Sequence, residues 1–82
     1  MSDDERRARL DEAARLYDAA AAELDLASGH CRVAAQHFRD GEVPRGGAHA
    51  WAARGHLLNA ERSLDEQART HAERASLPPT AG

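Results

Sequence analysis

The stretch RDGEVPRGG, residues 39–47, decides how this chain folds. Gly41 follows Asp40 as a left-handed helix terminator does. Pro44 cannot continue a preceding helix, because it has no N–H and its ring collides with the turn before it. It does fit the first turn of a following helix. Gly46 and Gly47 loosen that turn or let another backbone come close. A connection this short between helix-favouring flanks joins two antiparallel neighbours. It is no phosphate-binding loop, since no strand precedes it and the GxxxxGK[ST] pattern is missing.

Upstream, SDDE opens a helix: Ser2 or Asp3 can cap free N–H groups, and Glu5 stands three after Ser2 as in a capping box. Leu10, Tyr17, Leu24, Cys31 and Phe38 then recur every seven residues, and between them fall Ala13 or Ala14, Ala20 or Ala21, Ala27, and Ala34 or Ala35. This is a helical stripe of period about 3.5. Leu16, Leu26 and Val33 widen it. Cys31 and Phe38 keep the phase of Leu10, which predicts one helix over about 3–40, bent at Ser28–Gly29. A break at Gly29, giving three helices, is the alternative. Downstream of a turn at 41–45, a second helix runs over about 45–76. Its stripe is Ala50, Ala53, Leu57, Ala60, Leu64, Ala68, His71 or Ala72, and Ala75, flanked by Trp51 and Leu58. Pro78 and Pro79 stop it, and 77–82 is a frayed tail. The reading is one all-α domain, a long antiparallel hairpin in which Leu24 and Leu57 lie on the buried stripes.

The chain has 82 residues, 41% of them apolar, but much of that fraction is alanine. Alanine strengthens a helix yet adds little apolar area. Two hairpins pairing into a four-helix bundle cover the surplus apolar flanks, so a homodimer is expected. Leu16, Leu26, Val33, Trp51 and Leu58 are the candidate interaction residues, toward a second copy or another protein. The net charge of -3 offers no basic surface to nucleic acid or anionic membrane. No membrane span is present, the longest apolar run being Ala19–Ala22. A single cysteine and no secretory leader point to the reducing cytoplasm.

His30 and His37 are seven apart, as are His49 and His56. Each pair shares a helix face but spans about 10.5 Å along the axis, too far to ligate one ion. A turn centred near Val43 sets His37 level with His49, and His30 level with His56. A His30–His56 rung with Cys31 and Glu23 nearby is therefore a candidate metal site or proton-sensitive seam. The competing reading is histidines packing or hydrogen-bonding on helix flanks. No GxSxG, CxxC or nucleophile–base pair stands out, and no cofactor is expected.

The motif AxxHFRxG…AHAxAxxGHLxxAExxLxE, from Ala34 to Glu66, resembles small helical-repeat domains of the tetratricopeptide kind and HEPN-type domains. The latter resemblance implies a helical, usually dimeric protein, in some members a ribonuclease or toxin-system component. Catalytic members carry an arginine followed four to six residues later by histidine, and Arg32 and His37 meet that spacing. Val33 stands where those members carry a polar residue. The expectation that the residues themselves support is a non-enzymatic, homodimeric interaction or regulatory module. A HEPN-like ribonuclease using Arg32 and His37, and a histidine-lined metal-binding bundle, are the alternatives.

Overall fold

The computed structural model describes residues 2–75 and Leu77. Two helices account for it: α1, Asp3–Arg39, and α2, Val43–Arg74. The Ser2 hydroxyl accepts a hydrogen bond from the Glu5 N–H at 3.1 Å, and Asp3, Asp4 and Glu5 lie against the positive end of the helix dipole. The helix then runs through Gly29 without a break, so the three-helix alternative does not hold.

α1 ends as its sequence dictates. Gly41 takes φ 74, and the N–H groups of Gly41 and Glu42 donate back to the carbonyls of Phe38 and His37. α2 starts at Val43, two residues earlier than expected, because Pro44 sits inside its first turn with its missing N–H at no cost. It stops at Arg74, where Ala75 turns to extended backbone. The expected last residue, Ser76, and the tail from 78 on lie outside the described residues.

The contact between the helices keeps alanines of the expected stripes, but its second line runs one position before the expected large residues. On α1 it is the line of small residues Ala13, Ala20, Ala27 and Ala34, each followed after three residues by Leu16, Glu23, His30 and His37. On α2 the matching line is Gly46, Ala53 and Ala60, interleaved with His49, His56 and Ser63. Steps of three and four in alternation are the seam of two antiparallel helices. Ala20, Ala34, Ala53 and Ala60 are buried, Ala60 completely at 0% exposure. Small residues let the backbones come close. The Phe38 ring lies over Gly46, with ring atoms 2.8–2.9 Å from where a Cβ would stand.

The large apolar residues are left outside. Among the described residues no large side chain is fully buried, and Leu10, Tyr17, Leu24 and Phe38 form an exposed line. This corrects the placement of Leu24, which is 44% exposed; Leu57 is half-buried. The period of seven holds and alanines of the expected stripes lie in the seam, but the large residues stand one position past it, because alanine and leucine stripes of equal period run side by side. The result is a plate of 60 × 37 × 12 Å, one helix thick.

Candidate functional site

Two features stand out on this plate: a row of imidazoles in the seam and a broad apolar face beside it. The row follows from the register. His30 and His37 follow Ala27 and Ala34 by three residues, and His49 and His56 follow Gly46 and Ala53 by three, so all four face the opposite helix. They interleave rather than meet in level pairs. His37 stacks on His49 with centroids 5.3 Å apart, His49 lies 5.2 Å from His30, and His30 stacks on His56 at 5.3 Å. The expected level pairing of His30 with His56 is thus a stacking contact. The hydrogen bond of His30 goes to His49, Nδ1 to Nδ1 at 2.9 Å.

Carboxylates close the row at both ends. His56 Nδ1 donates to Glu23 Oε2 at 2.6 Å, and His37 Nδ1 stands 3.3 Å from Glu42 Oε2. The hydrogen bond from His56 holds the Glu23 carboxyl below its ordinary value. Asn59 adds to the effect and partial burial opposes it. All six groups are half-buried, so none is cut off from water.

Of the candidate metal set, Glu23, His30 and His56 lie in the row. Cys31 does not: it is exposed, on the same line as Tyr17 and Leu24. His49 and Glu42 join the row without having been in that set. The signal for His49 was its place three after Gly46 and four before Ala53, on the small-residue line. For Glu42, within the turn, no periodicity existed to read. Among the described residues no three histidine, cysteine or acidic side chains converge on one point.

Arg32 and His37, the pair for ribonuclease chemistry, do not converge within one chain. Five residues along a helix turn them about 140° apart. Arg32 is exposed, whereas His37 is in the seam. The candidate interaction residues fall in three places. Leu26 and Val33 are exposed beside the seam on one broad side of the plate. Trp51, 78% exposed, and Leu58 lie on the outer back of α2. Half-buried Leu16 lines a groove of ≈ 360 Å³ between the far ends of the helices, with Arg9, Glu12 and Thr70. The other broad side, which the expected stripe assigns to the core, carries Leu10, Tyr17, Leu24, Cys31 and Phe38. Leu57 and Leu64 of α2 extend it, since positions just after the seam residues of antiparallel helices flank the same side.

No helix among the described residues is long and apolar enough to cross a membrane. No family model matches the sequence, and neither a curated protein nor a solved structure matches the chain. The likenesses to HEPN-type and tetratricopeptide domains rest on the quoted motif alone.

Proposed function

We propose that this chain is a non-enzymatic helical module of the cytoplasm, acting through association, whose broad apolar side is covered by a second copy to make a four-helix bundle. One observation carries the reading: most large apolar residues of a two-helix chain lie at its surface, and among the described residues those buried are alanines and Gly46. The accessible surface is 6376 Å², against roughly 4,800 Å² for a compact monomer of this mass. That excess, per chain, is about twice the ~800 Å² that each partner covers in a standard interface. A second copy fits because the α1 line is symmetric about Leu24. A two-fold axis there sets Leu10 against the copy's Phe38 and Tyr17 against its Cys31, large residues against smaller ones in the second case. The other broad side, with Leu26 and Val33, and the outer back of α2, with Trp51 and Leu58, would remain for regulation or for another protein.

Light scattering on the purified chain and on Leu24→Glu tests this. The expected result is a dimer for the former and a monomer for the latter, because a carboxylate at the axis is desolvated beside its own copy. A wild-type monomer at tens of micromolar that unfolds cooperatively overturns the proposal.

A further inference from the structure

The inner pair of the imidazole row answers differently to each proton added. At 2.9 Å, His30 Nδ1 and His49 Nδ1 share one hydrogen, one ring donating it and the other accepting it on a bare nitrogen. A first proton goes to the free Nε2 of the donating ring. The contact survives and strengthens, because its donor is now charged. A second proton has only the accepting Nδ1 left. Both Nδ1 atoms then carry hydrogen, nothing accepts, and two imidazolium rings face each other with centroids 5.2 Å apart.

The surroundings offer that second charge no partner. His56 stacks on His30 at an interplanar angle of 10°, and His37 on His49 at 22°. Glu23 of α1 accepts from His56 at 2.6 Å, with Asn59 of α2 beside it. Glu42 of the turn stands 3.3 Å from His37 and is already bound by Arg45 of α2 at 2.9 Å. Each carboxylate thus faces an outer ring, where a proton on the imidazole is compensated. The inner pair has only rings around it.

We propose that His30 and His49 are a proton-operated latch on the hairpin: one hydrogen between them holds α1 against α2, and a second proton on the pair opens the seam. The latch lies within one chain and does not depend on a second copy covering the apolar side. Its sign follows from a count of protons. In an opened or unfolded chain both rings reach water, so acid places a proton on each. Well below the ordinary imidazole value near 6.5, the open chain holds one proton more on these rings than the closed one, and the folding constant falls about tenfold for each pH unit from this source alone.

Urea unfolding of the full chain at a fixed protein concentration, between about pH 6.5 and about pH 4.5, tests the latch. The wild type is compared with the double variant His30→Phe/His49→Phe, which keeps two stacking rings and both outer histidine–carboxylate contacts. Carboxylates titrate alike in the two proteins, so the difference isolates the inner pair. The folding constant of the wild type should fall at least about tenfold further than that of the variant over this range. His71→Ala, exposed near the far end of α2, should follow the wild type. Equal falls in the wild type and the double variant overturn the proposal. Should the double variant not fold, nitrogen-15 NMR of the wild-type rings decides. At about pH 7.5 the two Nδ1 atoms should carry one hydrogen between them, and ring-to-ring contacts of the pair should be gone by about pH 4.5. Hydrogen on Nε2 alone in both neutral rings, or contacts that persist with both rings fully protonated, overturns it equally.

Discussion

Gly46 and Gly29 are both helical glycines, and they are opposite cases. A Cβ at Gly46 would stand 2.8 Å from the Phe38 ring, whereas one at Gly29 meets nothing within 4 Å. Gly46→Ala should therefore force the ring aside and destabilise the hairpin by about 1–3 kcal/mol. Gly29→Ala should stabilise it by about 0.5–1 kcal/mol, since only the backbone freedom of the unfolded chain changes. Urea unfolding of both variants checks the pair, and equal effects would mean that Phe38 does not rest on Gly46. Glu23 gives a prediction in pH. Its carboxyl is held below the ordinary value in the fold, chiefly by His56. Its contribution is thus present above the unfolded-state value near 4.3 and is lost as pH falls through the lower folded value. Glu23→Gln should flatten the acid limb of the stability profile below about pH 5. A limb unchanged by that substitution would show that the His56 contact contributes nothing to folding.

Within each helix, the small-residue line sets how closely the two can approach. Ala60 is fully enclosed, so Ala60→Leu should push the helices apart and cost about 1–3 kcal/mol or more. Thermal unfolding followed by circular dichroism measures this, with exposed Ala72→Leu expected to change little. The helices themselves were legible in the sequence, together with Gly41 as terminator and Pro44 as first-turn residue. Each rests on local backbone chemistry that a sequence displays. The choice between Leu24 and Glu23 as the seam residue was not legible. Period alone fits both lines, and size favours the wrong one when the true seam is made of alanine. The histidines were placed on adjacent helices at matching heights, but their interleaving, with His49 between His37 and His30, depends on axial stagger that no residue pattern encodes. Glu42 could not be found at all, because its role comes from the turn bringing it back onto His37.

At the scale of the molecule, the chain is a single layer where stable domains have at least two. Its radius of gyration, 19.1 Å, compares with about 12 Å for a compact chain of this length. In the proposed dimer a second copy covers the exposed line through Leu10, Tyr17, Leu24 and Phe38. On that proposal folding and association are one event, and stability depends on concentration. The direct measurement is urea unfolding of the wild-type chain at protein concentrations spanning about two orders of magnitude. A midpoint that rises steadily with concentration is the predicted result, with Leu24→Glu unfolding at far lower urea. A midpoint that stays fixed across the range, with a single cooperative transition, would contradict the account by showing that one layer folds alone.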